Sequence, residues 1–243
     1  MMMRSVSKRE LFSSAWELYK KHSQFLFNVG VLLFSVQHFI PMVMSVVFGS
    51  YSPMYFVFHF AYLFITTAIS LGVIAQMLKI IRELDIGSFS DIFMYFHKAF
   101  ASIAGSFIIT FSFVLMAMIL LSAFDVQSEI DIASADLEIL KSYILNSNLL
   151  YVLIGYIIAV SYLSIKTHFF VYLIVDKDLG VIAALKESFI RTTGYEAELF
   201  IIWVLIVALN LVGVLMYGIG LLFSLPFTLL TLSLFYKRYL SDI

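Results

Sequence analysis

Residues 100–124 read FASIAGSFIITFSFVLMAMILLSAF, a run without a charge, a proline or an asparagine. A helix rises about 1.5 Å per residue and the hydrocarbon core of a bilayer is about 30 Å thick, so about 20 apolar residues suffice to cross it. A barrel strand would alternate apolar and polar residues over about 10 positions. This run is continuous and too long for that, so it predicts a transmembrane helix. Five more stretches read the same way: 24–48, 54–78, 149–175, 199–217 and 221–236. The expected architecture is an all-α polytopic membrane protein with six transmembrane helices, forming one integral membrane domain over residues 1–243.

Composition agrees. The chain is 62% hydrophobic and 13% charged, with a mean hydropathy of +1.01. Soluble domains are about 45–50% apolar and about 25% charged. A soluble fold of this composition would have to cover its surface with apolar side chains. The net charge of -1 points to no nucleic-acid partner. The absence of cysteine excludes disulfides, thiolate nucleophiles and thiolate-held metals. The basic N-terminal segment is not followed by a short apolar core with a small-residue cleavage site, so the first apolar run is expected to remain as a helix.

Turn signals separate the spans. Gly49-Ser50-Tyr51-Ser52-Pro53 divides the first from the second. The run from Leu199 to Tyr236 is broken only by Asn210 among strongly polar residues, and Gly218-Ile219-Gly220 is the expected hairpin. Pro226 is expected to kink or shorten the sixth helix. The fourth span is overlong and is expected to tilt or run into the interface.

Lys and Arg give the orientation. Arg4, Lys8, Arg9, Lys20 and Lys21 precede the first span; Lys79, Arg82 and Lys98 follow the second; Lys177, Lys186 and Arg191 follow the fourth; Lys237 and Arg238 follow the sixth. With six spans, these 13 of the 15 basic residues fall on one side. The exceptions are Lys141, in an acidic loop over 125–148, and Lys166, inside the fourth span. That distribution places both termini in the cytoplasm and the chain in the inner or plasma membrane. The acidic loop is read as a solvated cap with a short helix at 133–145.

An amphipathic stretch precedes each odd-numbered span. Leu11, Phe12, Ala15, Trp16 and Tyr19 share one face, opposite Lys8, Arg9, Glu10, Glu17 and Lys20. Phe89, Ile92, Phe93, Phe96 and Phe100 recur at helical spacing, with Ser88 or Ser90 as a cap. Ile182, Leu185 and Phe189 form a third stripe, with Lys186, Glu187 and Arg191 outside it and Gly194 at the helix end. Aromatic against charged faces suit three cytoplasmic-side interfacial helices. The chain then divides into three tandem units, over 5–82, 85–175 and 178–240. A loose alignment of 16–27 with 189–200 supports a repeat, and shared composition accounts for it equally well.

Ionisable and amide groups within spans are the candidate functional residues. Gln37 and His38 lie near the middle of the first span, His59 in the second and Asn210 in the fifth. Together they form a possible intramembrane polar cluster for a small polar ligand or a proton relay. Interhelical hydrogen bonding is the preferred account of them. Lys166 and His168 lie toward the cytoplasmic end of the fourth span. With Arg191 they are expected to meet lipid phosphate, lysine by snorkelling. Glu196 and Glu198 are expected to pair with Arg191 or Lys186. No nucleophile elbow, zinc motif, phosphate loop or dinucleotide fingerprint occurs. The sequence therefore names no catalytic residue, metal site or cofactor.

The third unit carries a recurring pattern: Asp176, Gly180, Ala184-Leu185, Ser188-Phe189, Thr193 and Gly194, then Leu199, Leu209-Asn210, Gly213, Gly218-Ile219-Gly220 and Pro226. It resembles the YciC-like group of bacterial inner-membrane proteins. It is also similar to the membrane domain fused to some glycerophosphodiester phosphodiesterases. The resemblance covers about the last 70 residues, and Phe189 stands where that group often has tryptophan. It implies a bacterial multi-pass protein and supplies no catalytic residues. The phosphodiesterase barrel is absent, so that activity is not expected. The expected function is a non-enzymatic protein that organises lipid or binds partners through its interfacial helices. The lipid bilayer, with anionic headgroups at the cytoplasmic face, is the expected partner. The alternative is a transporter or channel for small solutes or ions, using the residues around His38 and Asn210.

Overall fold

The computed structural model describes residues 6–48, 52–84, 89–123 and 149–241. Every regular element among them is helical. In chain order these are α1 (Lys8–Lys21), α2 (Ser23–Phe34), a π turn (Ser35–Phe39), α3 (Ile40–Phe48), α4 (Pro53–Ile81), a 3-10 helix (Phe89–Lys98) and α5 (Ala99–Ala123). Then follow α6 (Leu149–Thr167), α7 (Phe170–Lys177), α8 (Val181–Arg191), α9 (Glu196–Leu215), α10 (Leu221–Phe235) and a second π turn (Tyr236–Leu240). The acidic loop and its expected helix at 133–145 lie outside the described residues, as does most of the turn at 49–53.

Five helices are long and apolar enough to cross a membrane: Ser23–Phe48, Pro53–Ile81, Phe89–Leu120, Leu150–Lys177 and Glu196–Leu215. They suit a membrane-embedded protein. The sixth apolar stretch, α10, does not join them. Its 15 residues reach about 22 Å at the helical rise, and the π turn that extends it carries Lys237 and Arg238. Its second half is buried on every side, from Leu230 through Tyr236. A helix apolar all round is one surrounded on every side by protein or lipid. It packs against α1, α2, α4 and α9, so the first and third units share one core. The hairpin expected at 218–220 forms, with the chain turning through positive φ at Tyr217 and Gly218.

Local chemistry shapes three of the spans. Proline at position 41 has no N–H to give to the Gln37 carbonyl, and the helix before it widens to a π turn in which Ile40 N–H bonds to Ser35 O. The Val36 carbonyl loses its helical donor and accepts instead from the Tyr62 hydroxyl of α4 at 3.0 Å. The second span starts at Ser52, whose side chain accepts from Tyr55 N–H at 3.1 Å, with Pro53 in the first turn.

The overlong fourth span is broken rather than merely tilted. Between α6 and α7 the buried Ser188 hydroxyl donates to Lys166 O at 2.8 Å and accepts from Phe169 N–H at 3.2 Å. A side chain inserted into the ladder is a recognised cause of such a break.

The three amphipathic stretches are helical, but each uses its faces differently. In α1, Leu11, Ala15 and Tyr19 are buried. Phe12, Trp16 and Tyr19 converge on Phe227 of α10, with ring centroids 6.1–6.2 Å apart. Its apolar face therefore lies mainly on protein, and Trp16 is 52% exposed. Residues 89–98 form a 3-10 helix instead of an α-helix. It lies so close to α4 that a Cβ on Gly72 would sit 1.8 Å from Ile92 O; only glycine permits that contact. In α8 the expected stripe divides: Ile182 and Phe189 are exposed and Leu185 packs partly against the core, while Ala184 and Ser188 face in. The small residues allow the backbone of α8 to close on the break between α6 and α7.

Among the described residues, both ends of the chain and the basic connections meet at one end of the assembly, the basic end. Arg238 Nη2 donates to Ser14 Oγ at 2.8 Å, and Arg191 Nη1 to Leu240 O at 2.6 Å. Lys98 Nζ donates to Ile174 O at 3.0 Å and pairs with Asp178 at 2.8 Å. Toward the far end Phe39, Val46, Phe60, Phe107, Met118, Tyr151, Ile158 and Leu215 are exposed.

Candidate functional site

The polar residues singled out from the sequence do not assemble into one cluster. Asn210 is satisfied within the α9–α10 hairpin: Oδ1 accepts from Ser224 at 2.7 Å, and Nδ2 donates to Ile206 O at 3.0 Å and Thr228 Oγ1 at 3.3 Å. It is an interhelical clamp. His38, on the first π turn, is exposed, with its ring 5.1 Å from Phe34. His59 lies between Tyr55 and Tyr62, with centroids at 5.5 and 5.6 Å.

Lys166 does not snorkel to lipid. Its side chain is 1% exposed, and Nζ donates to Glu196 Oε1 at 2.6 Å and Thr193 Oγ1 at 2.8 Å. The Phe189 ring lies 4.9 Å away. The turn from α8 to α9 folds over the end of α6 and delivers Thr193 and Glu196 to the ammonium. Glu196 Oε2 also accepts from Gly194 N–H at 2.7 Å. Arg191, also expected at lipid phosphate, pairs with Glu187 at 2.7 Å and binds the C-terminal carbonyls. Neither expected partner therefore reaches Glu196. Asp176 was legible only as part of the resemblance. Its side chain is 3% exposed and accepts from Arg82 at 2.5 Å and Tyr236 at 3.0 Å, tying α4, α7 and the C-terminal turn together.

Outside the spans, the hydrogen bond from Lys98 and its charge hold the Asp178 carboxyl below the usual range. Burial, and then the neighbouring Lys21, lower the His22 imidazole.

Between the basic end and the far end, the helices line an open cavity of about 560 Å³. From the first span comes Gln37. From α4 come Tyr62, Thr66, Thr67 and Ser70; from α5, Ser102 and Ser106; from α6 and its break, Ser164, Thr167 and His168. Leu71, Ile74, Phe170, Val171, Leu229 and Leu232 are among its apolar walls. Among the described residues, no Asp, Glu, Lys or Arg lines it. Of the sequence candidates, only Gln37 and His168 reach it.

The hydroxyls have defined roles. Thr66 and Thr67 donate to Leu63 O at 3.0 and 2.8 Å, Ser70 to Thr66 O at 2.8 Å, and Thr167 to Leu163 O at 2.8 Å. A hydroxyl carries one proton and two lone pairs. With the proton given to the helix's own backbone, these oxygens offer acceptors only. The arrangement suits binding of a neutral polar molecule, and it contains no acid paired with a nucleophile. Sequence reading passed over this site because isolated Ser and Thr in apolar helices look neutral. The available signal was spacing: 66/67/70, 102/106 and 164/167/168 each place polar groups three or four residues apart on one helix face.

The chain was compared with protein-family models, curated proteins and solved structures, and none of them matches it.

Proposed function

We propose that this is a six-span membrane protein that binds a small polar solute within the bilayer and moves it across. The observation that carries the reading is the uncharged cavity of about 560 Å³, with hydroxyls on three helices. Polar groups at membrane depth are costly unless they face protein or a water-filled space. Small-molecule sites are typically apolar clefts with a few convergent polar groups, which describes these walls. The ligand site is thus moved from His38 and Asn210 to the faces of α4, α5 and α6.

In this reading α10 is the sixth span, sheltered by protein along its buried half, and both termini are cytoplasmic. Thirteen basic residues gathered on one side support that orientation. The pattern in the third unit supports a place in the YciC-like group. Reporter fusions at residues 22 and 241 should both report cytoplasm, and one within 126–148 the opposite side.

The functional test is uptake into proteoliposomes. Protein-dependent, saturable flux of at least one small solute is expected, reduced by Thr67→Val combined with Ser70→Ala. No flux from folded wild-type protein across a broad panel of polar solutes would end the reading.

A second reading, membrane organisation at the basic end, is favoured by Trp16 and Phe93, which stay exposed beside cationic segments. Changing both to Glu should alter lipid composition or envelope-stress responses; unchanged responses would count against it.

A further inference from the structure

We infer that the occupant of the cavity is a small uncharged solute bearing several hydroxyl groups, of the polyol class; this rests on the solute-binding reading above. Among the described residues the cavity has no charged lining residue. A charged ligand would enter without a counter-charge from these walls and lose its hydration. A bare cation would need oxygen ligands closed around it at roughly 2.0–2.6 Å, whereas this space is the size of a small-molecule site.

The walls then select by hydrogen bonding. On α4, Thr66, Thr67 and Ser70 have given their protons to backbone carbonyls. They ask the ligand to donate. From α5 and α6, Ser106 and Ser164 also line the cavity, and a serine hydroxyl can both donate and accept. The Gln37 amide offers both functions. A ligand that must donate to one wall and accept from the other, and that brings no charge, is matched by an alcohol. Leu71, Ile74 and Val171 then pack against its carbon skeleton.

The test uses purified full-length protein in a detergent without sugar headgroups. Equilibrium binding is measured with labelled ribitol, glycine betaine and rubidium ion. Saturable ribitol binding is expected, weakened about tenfold by Thr67→Val and restored by Thr67→Ser, as for loss of one wall hydrogen bond. The conservative pair guards against misfolding, because Val matches Thr in shape and Ser keeps the hydroxyl. Competition by free methyl glucoside would identify a soluble solute, and competition only by a glucosyl diacylglycerol a lipid headgroup; both support the class. Saturable binding of betaine or rubidium without ribitol would overturn the class and leave the solute site standing. Binding of none of the probes would remove the proposed ligand, and the uptake panel then decides whether any solute-binding reading survives.

Discussion

The two ends of the helix assembly follow different rules. At the basic end, α1, the inner half of α4, α7, α8 and the second half of α10 pack into continuous buried clusters. The buried charges Lys166 and Asp176 are paired there, and the break between α6 and α7 is bridged by the Ser188 side chain. At the far end many apolar side chains face outward, among them Val46, Phe60 and Leu215. Lipid tails are as apolar as leucine, so nothing drives far-end side chains out of lipid and onto protein. The basic end holds ammonium and carboxylate groups that must be paired wherever they leave water. Packing concentrates there, and the polar cavity sits at the junction.

The sharpest way to break this comparison is at Lys166. Glu196→Leu strands a buried ammonium, and a loss of about 3–5 kcal/mol is expected in reversible unfolding in detergent. Adding Lys166→Met should recover most of it. A Glu196→Leu protein as stable as wild type would show that the pair does not hold the closed end.

A matched pair of truncations comes next. Phe235, fully buried, stacks on Phe169 and packs at a tilt against Tyr239, and Phe235→Ala should cost about 3–5 kcal/mol. Phe60 is 77% exposed at the far end, and Phe60→Ala should cost less than about 0.5 kcal/mol. Similar losses at both sites would abolish the distinction.

The far end has one polar clamp of its own. Asn210→Leu removes the bonds to Ser224 and Thr228, and about 0.6–2 kcal/mol is the expected cost, as for other interhelical bonds in membranes. A larger loss than at Phe235 would reverse the ranking of the two ends.

The smallest effect is a pH slope. His22 titrates below 6.5 in the folded chain, so the unfolded chain binds its proton more readily and stability rises with pH. The His22 contribution is complete above about pH 6.5 and lost as pH falls through the lowered folded value. Asp178, held below 3.8, acts with the same sign but only in acid. His22→Gln should flatten the unfolding midpoint between pH 7 and 5; an unchanged slope would remove His22 as its source.

Much of the architecture was legible because it rests on lengths and charges along the chain. Runs without charge had to be helices, Gly218 marked the hairpin, and cations gathered in alternate connections. The assignment of faces was not legible. Hydropathy scores Ile182 and Leu173 alike, although one faces outward and the other the core, because lipid and core have the same polarity. The Lys166–Glu196 pair escaped notice since its members are 30 residues apart and meet only when the α8–α9 turn folds over α6. The break at His168 depended on Ser188, a residue of another helix.

The sequence by itself determined that helices cross lipid, where they turn and which connections carry the cations, since these follow from local transfer energies and backbone preferences. Only the tertiary structure decided which charges pair, which apolar faces meet protein and which hydroxyls share a cavity. Those outcomes depend on distances between helices, and no single segment encodes them.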